Sequence, residues 1–163
     1  MKLSGMFIFA ATFAVAGAVS IYEASAQVVA LGASNTQGYG VNPSEAFPAQ
    51  LGQMVHMQVT NAGVYGDTTG GMLARLSSSV PEGTKIVILQ FGGNDNRQGV
   101  SPAARQANIN SIEQKLRARG IRIVQADAVV NATVRLGMAQ SDHIHLTAQG
   151  HQKVAASLAR AIR

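Results

Sequence analysis

A hydroxyl, an imidazole and a carboxylate are the parts of a nucleophilic acyl-transfer centre, and this chain carries one of each beside turn signals. Ser34 lies in VVALGASNT (28–36), just behind a glycine that closes an apolar run. Asp142 and His145 are three residues apart in SDHIH (141–145). In a turn, that spacing lets the carboxylate accept from Nδ1 while Nε2 faces a hydroxyl. Acyl transfer also needs donors aimed where negative charge develops. Gly63 in NAG (61–63), whose N–H no side chain crowds, and the side-chain amide of Asn94 in GGND (92–95) are the candidates. Each has a plainer reading, since glycines make turns and an Asn-Asp pair closes loops. Asp142, His143 and His145 are also ligands of the kind zinc accepts, so a metal site competes for the same stretch. No H-E-x-x-H arrangement and no second histidine–carboxylate cluster supports that alternative, and the acid–base pair is preferred. His56, between Val55 and Met57, reads as a structural strand residue, and His151 as a surface residue of the last helix.

For these groups to meet, the chain must bring distant segments to one edge. VVALG (28–32) has the solid apolar pattern of a parallel strand buried on both faces. Ser44 and Glu45 open a helix near Ala46–Met54, with Pro48 in its first turn. VHMQVTNAG (55–63) reads as a second strand, Thr69–Ser78 as a helix, and KIVILQFGGND (85–95) as a strand running into glycines. Pro102–Arg119 is a helix stopped by Gly120, and IRIVQAD (121–127) is the next strand. Thr147 caps a last helix in which Val154, Leu158 and Ile162 recur every fourth residue. Such alternation predicts an open α/β sheet with ligands at the carboxyl ends of its strands. Ser34, Asn61–Gly66, Gly92–Asp95 and the loop before the last helix all fall on that edge.

Lys2, the apolar stretch Met6–Ile21 and Ala24-Ser25-Ala26 have the order of a secretory signal peptide cleaved after Ala26. The expected mature domain is Gln27–Arg163, in the periplasm or secreted. An uncleaved anchor is the less favoured alternative, because the stretch falls short of the ~20 residues of a spanning helix. There is no cysteine, which excludes thiol nucleophiles, thiolate metal sites and disulfides. The net charge of +5 is spread along the chain, gathering only at Lys115, Arg117, Arg119 and Arg122. No aromatic residues interleave there, so nucleic acid is not an expected partner.

The order GASN (32–35), NAGVYGDT (61–68), GGND (92–95) and DHIH (142–145) resembles the four blocks of the SGNH (GDSL-type) hydrolases. That resemblance implies a three-layer α/β/α (flavodoxin-like) domain with an open parallel sheet of four to five strands. It further implies Ser34 as nucleophile, His145 as general base and Asp142 as its orienting partner. The oxyanion hole would be the N–H groups of Ser34 and Gly63 with the Asn94 amide. Asn35, Tyr65, Gly93, Asp95, His143 and Ile144 are candidate neighbours of the cleft. No cofactor or metal is called for, and the expected partner is a small-molecule, lipid or glycan ester.

Two departures stand out. The family usually has aspartate where this chain has Ala33, which removes a carboxylate that would tether the nucleophile loop. Only AVVNATVRLGMAQS (128–141) separates the last predicted strand from Asp142, where small members place a further helix and a short strand. One short helix around Asn131–Leu136, no fifth strand and an open site are expected, with Tyr39, Tyr65 and the Met138 region as apolar walls, Phe47 reading equally as wall or core, and Gln98–Val100 at the border. Ester hydrolysis is the leading reading. Deacetylation of O-acetylated glycans, and a non-catalytic glycan- or lipid-binding envelope protein, remain open beside it.

Overall fold

The computed structural model describes residues 28–162, so the leader expected over residues 1–26 lies outside the described residues. Four parallel strands, β1 (Val28–Gly32), β2 (Val59–Gly63), β3 (Ile86–Gln90) and β4 (Arg122–Gln125), form a sheet in the order β2-β1-β3-β4. The helices are α1 (Ser34–Gln37), α2 (Phe47–Val55), α3 (Thr69–Ala74), α4 (Leu76–Ser79), α5 (Asn94–Arg97), α6 (Pro102–Ala118), α7 (Asp127–Arg135) and α8 (Ala148–Ile162), with a 3-10 turn at Pro43–Glu45.

Period-two alternation along the central strands sends side chains into two separate cores. Val29, Leu31, Val87 and Leu89 pack against Met72, Leu76, Ile112 and Leu116 from α3, α4 and α6. Val28, Ala30 and Ile88 pack against Phe47, Leu51, Val130, Val154 and Leu158 from α2, α7 and α8. With every β1 residue buried, the sheet is the middle of an α/β/α three-layer fold. The strand order reverses between β1 and β3, and the crevice at their carboxyl ends is where such sheets bind ligands.

Several expectations are corrected. The second strand begins at Val59 rather than 55, because α2 continues through Met54 and Val55, which pack with Leu51 in one core at helical spacing. His56 is therefore no strand residue; it ends α2 in the left-handed region with φ 55. The helix expected over Thr69–Ser78 breaks at Arg75, giving α3 and α4. The short helix expected around Asn131–Leu136 starts earlier, at Asp127. No fifth strand follows it among the described residues, only the isolated antiparallel bridge Ala139–Leu146. His151, expected on the surface, is fully buried: it faces Phe47 with ring centroids 6.2 Å apart, and Nδ1 accepts from the Phe47 N–H at 3.2 Å.

Candidate active site

Gly32 ends β1 with no room for a Cβ, because Thr36 and the Gln90 backbone close over it. The chain turns at buried Ala33, and Ser34 becomes the first residue of α1. Its N–H, at the start of a helix, has no intrahelical acceptor.

On the facing loop, Asp142 uses its two oxygens differently. Oδ1 accepts from the N–H groups of Ile144 at 2.9 Å and His145 at 3.0 Å, which closes the turn. Oδ2 lies 2.5 Å from His145 Nδ1, and His145 Nε2 lies 2.9 Å from Ser34 Oγ. The hydrogen bond from the His145 ring, with those two backbone donors, holds the Asp142 carboxyl well below the usual carboxylate range. An ionised Asp142 places the imidazole proton on Nδ1, which leaves Nε2 to accept from the Ser34 hydroxyl. Ser34 and His145 are buried, 6% and 7% exposed, while the ring of His145 lies beside Tyr39 with centroids 4.5 Å apart.

The opposite wall comes from the loops after β2 and β3. Asn94 opens α5; its Nδ2 donates to the Asp67 carbonyl at 2.7 Å, and its Oδ1 accepts from Arg97 Nη2 at 2.6 Å. With the carbonyl oriented by Arg97, the second Nδ2 hydrogen is free of that contact. Asp67 is itself fixed by Arg75 Nε at 2.8 Å, and Arg75 Nη2 reaches the Gly32 carbonyl at 3.2 Å. Ser34, Tyr65, Gly66, Asn94, Arg97, Gln98, Ile144 and His145 line one cleft of about 380 Å³.

The structure brings Ser34, Asn94, Asp142, His145, Tyr65 and Ile144 together and corrects other assignments. Gly63 does not line the cleft. Its N–H donates to Asn61 Oδ1 at 2.9 Å, and a Cβ there would run into the backbone of Thr36 and Gln37. Gly63 is thus required by the close passage of α1 over β2. Gly66, in the same block, lines the cleft instead, at φ 75 with open space around it. Asp95 points away: its carboxylate is fully buried and accepts from the Thr69 hydroxyl at 2.6 Å and the Thr69 N–H at 3.2 Å, bracing α3. Gly93 caps α5, and exposed His143 is a left-handed turn residue with φ 58; neither lines the cleft. Phe47 is core rather than wall, and Asn35 is buried between loops. Among the described residues, no three His, Cys, Asp or Glu side chains gather into a group that could hold a metal ion.

Sequence reasoning missed Gly66, Arg97 and Asp127. A glycine before the Asp-Thr pair and a cation one turn after GGND were the available signals for the first two. Asp127, at the start of α7, accepts from the Phe91 and Gly92 N–H groups at 3.0 Å each and from Gln90 Nε2 at 3.2 Å. Gln90 Oε1 in turn accepts from Thr36 Oγ1 at 3.2 Å. A carboxylate from α7 therefore ties the β3 loop to α1 beneath the turn where Ala33 has none to offer.

Residues 30–139 match the model of the GDSL-like Lipase/Acylhydrolase family. The chain is 34% identical over 109 residues to Esterase TesA of Pseudomonas aeruginosa, which covers 63% of this chain and 54% of that protein. It is 30% identical over 108 residues to an arylesterase of Vibrio mimicus, covering 63% and 54%. The chain spans about half the length of the curated relatives it matches. Among solved structures, AlinE4, a SGNH-hydrolase family esterase, superposes with a TM-score of 0.63 at 27% identity, over 83% of this chain and 93% of the other.

Proposed function

We propose, from the premise that this chain belongs to the GDSL-like lipase/acylhydrolase family, that it hydrolyses carboxylic esters or thioesters through an acyl-Ser34 intermediate. The observation that carries this reading is the unbroken line from Asp142 through His145 to Ser34, at 2.5 and 2.9 Å. Ser34 Oγ attacks the substrate carbonyl as its proton passes to His145 Nε2, and Asp142 stabilises the imidazolium. The oxyanion takes hydrogen bonds from the Ser34 N–H, the Asn94 amide and the Gly66 N–H, replacing Gly63 in the expected set. His145 returns the proton to the leaving alkoxide or thiolate. Water then attacks the acyl-enzyme, giving its proton to the same nitrogen, and Ser34 recovers it as the acid departs.

The test is hydrolysis of p-nitrophenyl esters from acetyl to octanoyl, with Ser34→Ala as the paired control, plus labelling by a fluorophosphonate. Loss of turnover and of labelling in the variant supports the serine mechanism, and the chain-length optimum separates short-acyl from lipid-like substrates. A folded protein that neither turns over nor labels points instead to a non-catalytic glycan- or lipid-binding role.

Deacetylation of glycans is a second reading, favoured by one feature. Tyr39 and Tyr65 are 45% and 57% exposed, with ring centroids 4.7 Å apart and planes tilted by 34°, and together they present an aromatic surface beside His145 at the rim of the cleft. Acetate release from acetylated xylan, lost in Tyr39→Ala while p-nitrophenyl acetate turnover persists, would establish it. The leader read in residues 1–26 supports export to the periplasm or medium, which fractionation of the expressed chain would test.

A further inference from the structure

Asn35 is the covalent neighbour of the nucleophile, yet its side chain is spent on the opposite loop. Nδ2 donates to the Ile144 carbonyl at 3.1 Å, and Oδ1 accepts from the Leu146 N–H at 2.9 Å. The two groups flank His145 on either side. Asn35 is 8% exposed, so an apolar replacement would leave the buried Leu146 N–H without its partner and take from the part-buried Ile144 carbonyl its hydrogen bond.

Beyond the side chain of Leu146, which is buried in the same core as Val28, Ala30 and Ile88, the loop that carries the base has few ties to the body of the domain. It follows α7 rather than a strand, and its one bridge, Ala139–Leu146, is internal. Its second tie runs through Gln140, whose Nε2 donates to the Tyr39 and Leu146 carbonyls at 2.8 Å each. That side chain occupies the space over Gly40, which has φ 79 and where a Cβ would collide with it. The Asn35 bonds, by contrast, start one residue from Ser34 and end one residue either side of His145.

We propose that Asn35 is a positioning residue: it makes nucleophile and base one rigid unit, in place of the sheet attachment that a further strand would supply. The inference rests on the acyl-transfer reading for its kinetic consequences, but not for its structural one. Fixing the loop on both sides of His145 leaves the imidazole little freedom to move along the Ser34–Asp142 line. A displacement of about 1 Å there is enough to cost about a hundredfold in rate.

The test compares Asn35→Leu, which keeps the volume and loses both hydrogen bonds, with Gln140→Leu, which removes two side-chain bonds from the same loop further from Ser34. In Asn35→Leu, kcat is expected to fall about a hundredfold with KM within about threefold, against a loss below about fivefold in Gln140→Leu. A downfield proton resonance of the His145–Asp142 hydrogen bond is expected by NMR in the unmodified protein, and it should shift or broaden in Asn35→Leu and persist in Gln140→Leu. Asn35→Gln, which keeps the amide at the cost of one methylene, should recover the resonance and about tenfold of the lost kcat. Equal kcat losses in the two leucine variants, or an unchanged resonance in Asn35→Leu, would overturn the proposal. Should Asn35→Leu not fold, recovery of neither signal in Asn35→Gln would do the same. If the unmodified chain turns over no ester, the acyl-transfer reading falls, and the resonance alone decides whether Asn35 positions His145.

Discussion

The two halves of the cleft are built by different means. The acid–base half is local: Asp142 folds back over three residues to hold His145, and one turn of backbone N–H groups fixes its carboxylate. The oxyanion half is assembled at long range. Asn94 is oriented by the carbonyl of Asp67, 27 residues away, and Asp67 in turn by Arg75. A locally closed turn keeps its geometry if its surroundings shift, whereas a relay between loops depends on every member. Damage to the first half should therefore be severe and confined, and damage to the second graded along the relay.

The largest expected effect is in the local half. His145→Ala removes the group that both takes and returns the proton, and kcat should fall about 10⁴-fold at unchanged thermal stability. A drop in melting temperature of more than a few degrees would show that the turn holds the fold as well as the site.

Next come two substitutions that separate a donor from a spacer. Asn94→Ala should lower kcat by about 10²–10³-fold, the usual cost of one oxyanion donor. Gly63→Ala should act on stability instead, because the new Cβ would overlap the backbone of Thr36 and Gln37; such overpacking costs about 1–3 kcal/mol. A Gly63→Ala protein with a normal melting temperature and a crippled kcat would return Gly63 to the oxyanion hole and displace Gly66.

That pair also marks where legibility in the sequence stopped. Ser34, Asn94, Asp142 and His145 were readable because each is a reactive type beside a strand end or within one turn, where spacing alone limits geometry. The four parallel strands and their helices followed from apolar runs alternating with amphipathic segments. Gly63 and Gly66 stand in one block, and only the path of α1 over β2 decides which faces the cleft. Asn35, Arg97 and Asp127 act through partners distant in the chain or through side-chain direction, which periodicity does not encode. His151 sits at a polar letter in an amphipathic pattern, so its burial against Phe47 could be known only once α2 and α8 were packed.

His151 offers a way to separate the fold from the acid–base half. Burial pushes its pKa from 6.5 down to about 4, with a smaller contribution from His145 and partial opposition from Glu45. Its Nε2 has no hydrogen-bond partner among the described residues, so protonation adds a charge that the core does not solvate. Because the native value lies below the unfolded one, the unfolded chain binds more protons as pH falls. Stability is thus unaffected above pH 6.5 and declines progressively from 6.5 towards 4, by about 3 kcal/mol in all. Asp142, whose carboxyl has an ordinary value of 3.8 in the unfolded chain, contributes little loss above pH 4. Thermal melts across this range should show the decline, and His151→Gln, which keeps an acceptor for the Phe47 N–H without titrating, should flatten it. A slope that persists in His151→Gln would assign the acid sensitivity to another group.

The smallest effect belongs to the other partner of the Asn94 amide. Arg97 contacts Asn94 Oδ1 at 2.6 Å while the rest of its side chain is exposed, so water competes for the guanidinium and the bond is worth less than a buried one. Its contribution is directional: with Oδ1 held by Arg97 and one Nδ2 hydrogen held by Asp67, the amide cannot flip without breaking both bonds. Arg97→Gln should then lower kcat about tenfold, equivalent to about 1.4 kcal/mol of transition-state stabilisation, with KM little changed. Combined with Asn94→Ala it should add almost nothing, because the group it orients is gone. Additive losses in the double variant would mean that Arg97 touches the substrate itself, and the long-range half of the cleft would then be a binding surface as much as an oxyanion hole.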